Sequence, residues 1–147
     1  MAKTLSYKKE NSLLDGLDSL MTEIRKINPY TSQGYNFLVG SGLKKDKDGN
    51  IKHIGNSTNK RWFMYLRWMV RQDELDMGLW NNVHKKDLIM PLDTHTFNVS
   101  KKLGLLQRKT YDLKSAIEVT NKLKEFDEND PVKYDFALYR IGQEKVL

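Results

Sequence analysis

Two side chains in this sequence have types and placements that could do covalent chemistry. Lys60 opens an apolar run, Lys60-Arg61-Trp62-Phe63-Met64-Tyr65-Leu66-Arg67-Trp68-Met69-Val70-Arg71, and Asp93 precedes Thr94-His95 after Pro91. Both positions read as helix N-termini. The partial positive charge there disfavours an ammonium and favours a carboxylate. A lysine amine partly desolvated by Trp62, Phe63 and Met64 would be neutral often enough to act as a nucleophile. An ionised Asp93 would stabilise a developing cation. Together they are the minimal kit for attack on C1′ of a nucleoside followed by Schiff-base chemistry. Each residue also has an ordinary reading, Lys60 as a solvated surface lysine and Asp93 as an N-cap worth ~1 kcal/mol. The 33 residues between them leave proximity to the fold.

Other charged and aromatic residues are candidates for nucleic acid. Arg61, Arg67 and Arg71 lie along the first run, with Arg67 and Arg71 at i, i+4 spacing. Lys101, Lys102, Arg108 and Lys109 flank Gly104. Such groups bind phosphates, or are simply solvated faces. Trp62, Trp68 and Trp80 offer stacking surfaces, or core. His53, His84 and His95 show no partner pattern, so no metal and no cofactor is expected. Lys44-Lys45-Asp46-Lys47 mixes signs as a soluble loop does.

Composition bounds the possibilities. The chain has 147 residues, 25 Lys and Arg against 19 Asp and Glu, a net charge of +6, and a pI of about 9.4. That balance suits a polyanion without identifying one. The absence of cysteine excludes disulfides, thiolate zinc sites, Fe–S centres and a Cys nucleophile. No stretch of 18 apolar residues occurs, so no membrane span is expected. The opening Met-Ala-Lys-Thr-Leu-Ser-Tyr-Lys-Lys-Glu lacks a hydrophobic signal region, and a cytoplasmic location is the expectation.

The elements that must hold these residues read as all-α. Residues 1–10 form a polar tail, and 11–147 a single helical domain. Asn11 opens an amphipathic stretch carrying Leu13, Leu14, Leu17, Leu20, Met21 and Ile24, ended by Asn28-Pro29. Glycines punctuate residues 29–58. There Asp48-Gly49 marks a tight turn between Tyr35–Val39 and Ile51–Ile54, giving a short hairpin or one long loop. Asn56-Ser57-Thr58-Asn59 supplies N-cap residues for a helix from Lys60 to Arg71, with Trp62, Leu66, Met69 and Val70 on one face and Phe63 and Tyr65 flanking it. Residues 73–90 read as short helices and turns. Asp93 caps a helix reaching Leu103, stopped by Gly104. Asp112 caps the next, with Ala116, Ile117, Thr120 and Leu123 inward. Asp130-Pro131 opens a last helix to about Gln143.

Three segments carry a resemblance: Lys60–Arg71, Leu92-Asp93-Thr94-His95, and Asp130-Pro131-Val132-Lys133-Tyr134-Asp135-Phe136-Ala137-Leu138. Together they resemble an uncharacterised bacterial family that looks like a branch of the helix-hairpin-helix DNA glycosylase superfamily. Leu-Asp-Thr-His resembles the Val-Asp-Thr-His of endonuclease III, and the Lys-to-Asp gap is similar to that of archaeal 8-oxoguanine DNA glycosylases. The resemblance covers residues 55–145. It implies a helical domain of that type with one long loop before the Lys60 helix, acting on double-stranded DNA with a damaged base, such as an oxidised purine, in the bacterial cytosol or nucleoid. It implies that Lys60 is the nucleophile and Asp93 its catalytic partner, that the base flips out of the duplex, and that a Schiff-base lyase step can follow. It further implies that Asp135 and Tyr139, four apart on a late helix, hold the flipped base.

The sequence departs from the superfamily in two places. The Gly-rich hairpin before the Lys reads His53-Ile54-Gly55-Asn56-Ser57-Thr58-Asn59 here, with one glycine. The superfamily forms its cleft between two helical lobes, and 147 residues are few for both, so a missing N-terminal lobe or partner chain is part of the expectation. The alternatives are a non-catalytic DNA-binding helical module, a truncated inactive fragment, and a helical protein-interaction domain.

Overall fold

In a computed structural model of the chain, residues 12–144 are described. The tail at 1–10 and the Asn11 cap lie outside them. Among the described residues six α-helices form: α1 (Leu13–Ile27), α2 (Gln33–Val39), α3 (Lys60–Val70), α4 (Thr94–Lys102), α5 (Leu113–Lys124) and α6 (Asp135–Gln143). Single 3-10 turns occur at Lys85–Asp87 and Pro131–Tyr134. No strand forms among the described residues, where the only pairings outside helices are isolated bridges at Lys45–Ile51 and Gln72–Met77. The chain is all-α.

Where one domain was read over 11–147, the chain divides into two compact units. The first runs to Lys52 and includes Trp80–Val83; the second holds His53–Leu79 and the chain from His84 onward. In the first unit, Ser12 caps α1. Its hydroxyl accepts the Asp15 amide at 3.3 Å, and the Asp15 carboxylate accepts the Ser12 amide at 3.0 Å, a reciprocal capping box. Leu13, Leu14, Leu17, Leu20 and Met21 are buried, as their helical spacing predicts.

Tyr35–Val39 does not form one side of a hairpin. It is helical, because the Ser32 hydroxyl accepts the Tyr35 amide at 3.1 Å and so starts a turn. The α2 C-terminus is held by Arg25, whose Nε donates to the Gly40 carbonyl at 2.7 Å. The Asp48-Gly49 turn does form, but it closes only seven residues, Lys45 to Ile51. The Asp46 carboxylate accepts the Asp48 and Asn50 amides, both at 2.9 Å.

The second unit packs α3 to α6. On α3 the buried residues are Phe63, Leu66, Arg67 and Met69. Trp62 and Val70, expected on the inner face, are only half-buried at its edges. On α5, Ala116, Thr120 and Leu123 are inward as expected, with Val119 buried where Ile117 was assigned. The α4 and α6 helices pack closely at Gly142. A Cβ there would stand 3.1 Å from both His95 Cβ and Val99 Cγ2, so a side chain would hold the two helices apart.

Candidate active site around Lys60 and Asp93

The sequence delivers Lys60 and Asp93 to their helix starts by different local means. Asn59 adopts a left-handed conformation, φ 50° and ψ 34°. It is the only non-glycine residue with positive φ among those described, and asparagine tolerates that region better than most residues. Its side chain makes no cap; Nδ2 donates back to the Ser57 carbonyl at 2.8 Å instead. The expected Asn56–Asn59 capping cluster therefore turns the chain rather than closing the helix. Asp93 does cap α4, its Oδ1 accepting the Thr96 amide at 2.7 Å. Its other oxygen, Oδ2, accepts from Lys60 Nζ at 3.1 Å. One carboxylate thus fixes a helix start and orients an amine 33 residues away.

The Lys60 side chain keeps about a third of its surface exposed, 37%, whereas that of Asp93 keeps 13%. Burial alone would push the Asp93 carboxyl up. The Thr96 amide and the Lys60 ammonium outweigh it and hold the carboxyl below the usual range. The backbone before Lys60 is anchored on α5, whose first amides, Leu113 and Lys114, donate to the Asn56 and His53 carbonyls at 3.0 Å each. The backbone before Asp93 is anchored on the same helix, since Thr120 Oγ1 accepts the Met90 amide at 2.9 Å.

Lys60 and Asp93 face a cavity of about 320 Å³, and Asp135 and Tyr139 line it too. The expected nucleophile, its catalytic partner and both residues expected to hold the base therefore share one hollow, and Arg67, expected on phosphate, lines it as well. Arg67, Trp68, Phe136, Met64 and Pro91 complete its walls, with Arg67 paired to Asp135. Trp68, one of three tryptophans offered for stacking, and Met64, expected only to desolvate Lys60, both line the site. Their signal was present: Lys60, Met64 and Trp68 stand at i, i+4, i+8, one stripe of α3. Phe136 carried no such signal beyond following Asp135. A larger hollow, about 610 Å³, lies along α5 beside Gly104 and Leu105, and none of the sequence-assigned residues line it. Part of its polar lining is already satisfied, with Glu118 accepting the Gln107 amide and Lys122 paired to Glu125.

Asp135 is nearly buried and ion-paired to Arg67. Burial is the larger influence and Arg67 opposes it, so the carboxyl is pushed up to about 6. Arg67 also donates through Nε to Asp76 at 3.1 Å. Arg71 clasps Asp130 with Nε at 2.9 Å and Nη2 at 3.1 Å, and its Nη1 meets Asp73 and Asp76. These two arginines were expected to reach phosphates. They turn inward because the fold brings four carboxylates to them, and a buried guanidinium requires such partners. For the same reason Asp130 makes no cap bond at its helix start. Arg108 is likewise held by Asp112 at 2.7 Å. Arg61, Lys101, Lys102 and Lys109 are exposed.

Among the described residues, no group of three or more His, Asp or Glu is placed to hold a metal ion, and no helix is long and apolar enough to cross a membrane. A family model described as "Protein of unknown function (DUF2400)" matches residues 1–144. No curated protein and no solved structure matches the chain.

Proposed function

We propose that this chain, which belongs to the DUF2400 family, is a DNA base-excision glycosylase-like protein of helix-hairpin-helix type with Schiff-base lyase chemistry, acting on an oxidised purine in duplex DNA. One observation carries the reading. Lys60 Nζ and Asp93 Oδ2, from two different helix starts, meet at 3.1 Å in a cavity that also holds Asp135 and Tyr139. The cavity, about 320 Å³, falls at the small end of ligand sites, roughly 300–1,000 Å³, a size suited to a single base.

In this reading the damaged base flips from the stack into the cavity. Trp68, Phe136 and Tyr139 give it aromatic surface, and Asp135 accepts hydrogen bonds from a purine N–H edge. Asp93, ionised, draws a proton from the Lys60 ammonium. The freed electron pair forms the Nζ–C1′ bond as the bond from C1′ to the base breaks, and that pair leaves on the base, which takes the proton held by Asp93. Asp93, a carboxylate again, then faces the secondary ammonium on C1′. Ring opening gives a Schiff base on Lys60. Loss of a C2′ proton with departure of the 3′ phosphate completes β-elimination and breaks the strand, and water then hydrolyses the conjugated imine to free Lys60.

Borohydride trapping on duplexes bearing 8-oxoguanine or an abasic site tests this. The wild type gives a covalent adduct and Lys60→Ala gives none. Asp93→Asn slows trapping by roughly 10²–10³-fold, the range for removing one preorganised electrostatic group. No adduct with the wild type, or an undiminished one with Lys60→Ala, overturns the reading. A binding module without chemistry, which the exposed Arg61, Lys101, Lys102 and Lys109 would also serve, predicts salt-sensitive duplex binding and no adduct.

A further inference from the structure

Lys60 and Asp93 belong to different helices, and an ion pair between two helix starts holds its geometry only if the backbones feeding those starts are tied together. The α5 anchors fix each segment separately, and one side-chain oxygen links the two directly. The Tyr111 hydroxyl accepts from Thr58 Oγ1 at 3.3 Å and donates to the Leu92 carbonyl at 2.8 Å. Thr58 lies two residues before Lys60, and Leu92 immediately before Asp93. Thr58 and Leu92 are buried, and Tyr111, itself 41% exposed, reaches them from the surface. The ring is oriented as well: it meets Phe97 of α4 edge-on, with centroids 5.5 Å apart and planes at 84°. Two residues further on, α5 begins with the amides that anchor Asn56 and His53.

We infer that the Tyr111 hydroxyl is a positioning group for the Lys60–Asp93 pair, a strut that sets the separation of the amine and the carboxylate. Tyr111 touches neither group, so it acts through the two backbones. Its consequence for catalysis rests on the reading proposed above; its consequence for the pair does not. The groups facing Asp93 are Lys60 of α3, the Thr96 amide of α4 and, across the cavity, Asp135 of α6 and the Arg67 of α3 paired to it. Of these, Lys60 is the one the strut holds in place. The Asp93 titration therefore reports the strut directly.

The test uses the full chain and reads Asp93 by carbon-13 carboxyl NMR. Tyr111→Phe keeps the ring against Phe97 and removes only the hydroxyl. The Asp93 pKa is expected to rise toward the ordinary carboxylate range by about half a pH unit or more. Thr58→Val moves it the same way by a smaller amount, and Thr58→Ser, which restores a hydroxyl, returns it to the wild-type value. The double variant Tyr111→Phe with Thr58→Val moves it no further than Tyr111→Phe alone, because the two share one hydrogen bond. An Asp93 titration unchanged in Tyr111→Phe overturns the inference. If that variant does not fold, an unchanged titration in Thr58→Val does so, as does a Thr58→Ser variant that behaves like Thr58→Val.

Trapping separates this from the reaction itself. Tyr111→Phe is expected to slow adduct formation by roughly 10–100-fold with duplex affinity unchanged, the effect of displacing reacting groups by up to about 1 Å. A wild type that forms no adduct removes the glycosylase reading and leaves the titration to decide the role of Tyr111.

Discussion

Asp76 is the residue whose loss should expose how the site is supported. Its side chain has no solvent exposure and is shared between Arg67 and Arg71, each only about a tenth exposed. Breaking a buried ion pair by removing one partner costs about 3–5 kcal/mol. In Asp76→Ala both guanidiniums keep other carboxylates, Asp135 for Arg67, and Asp73 and Asp130 for Arg71. The expected loss is therefore near the lower end, about 3 kcal/mol, which corresponds to a fall in Tm of about 6–12 °C for a chain of this size. Calorimetry or a urea midpoint measures it. Glu125→Ala, which removes an exposed pair with Lys122 at 2.8 Å, is the control, at about 1 kcal/mol or less. A second readout follows from the shared arginine. With Asp76 gone, Arg67 serves Asp135 alone, so the Asp135 carboxyl should fall from about 6. A Tm drop no larger than that of Glu125→Ala, or an Asp135 titration that stays or rises, would refute the argument that one network supports both.

Three further outcomes are expected. Gly142→Leu forces α6 from α4 at the 3.1 Å contacts to His95 and Val99 and should cost about 1–3 kcal/mol as overpacking does, read as a lower urea midpoint. Asp135 titrates at about 6 in the folded protein, above the ordinary 3.8. Its contribution is present at low pH and is lost as pH rises through about 6, so Asp135→Asn should flatten the decline in stability between pH 4 and 6.5, followed by urea midpoints at each pH. Duplex binding through Arg61, Lys101, Lys102 and Lys109 alone predicts a slope of log K against log salt of about −0.9 × 4, or about −3.6. A slope near −5.4, corresponding to about six contacts, would put Arg67 and Arg71 on phosphate and contradict their inward pairing.

Much of the helical layout was legible because its signals are local. Asp93 and Asp112 cap α4 and α5 where expected, each accepting the amide three residues on. Gly104, at φ +73°, sits just past the end of α4. Tyr35–Val39 misled because its apolar residues suit strand or helix equally, and the cap that decided was Ser32, just before the run. Asp130 misled in the opposite way. A carboxylate before a proline looks like a cap, but Arg71, 59 residues away, takes both its oxygens.

The sequence by itself determined an all-α chain, the starts of the helices that carry Lys60 and Asp93, and the presence there of an amine and a carboxylate. These follow from side-chain-to-backbone bonds spanning three or four residues and from the 3.6-residue period, which any linear reading can follow. The tertiary structure decided what those groups meet. It brought Lys60 and Asp93 together across 33 residues, and Arg67 and Asp135 together across 68. It also set Tyr111 between the two helix starts and turned two presumed phosphate readers into buried struts. Charge alone cannot forecast such pairings, because an arginine at i, i+4 on a helix reads the same whether solvent or four carboxylates lie opposite. Only the packing that excludes water from the cluster makes the inward choice the stable one.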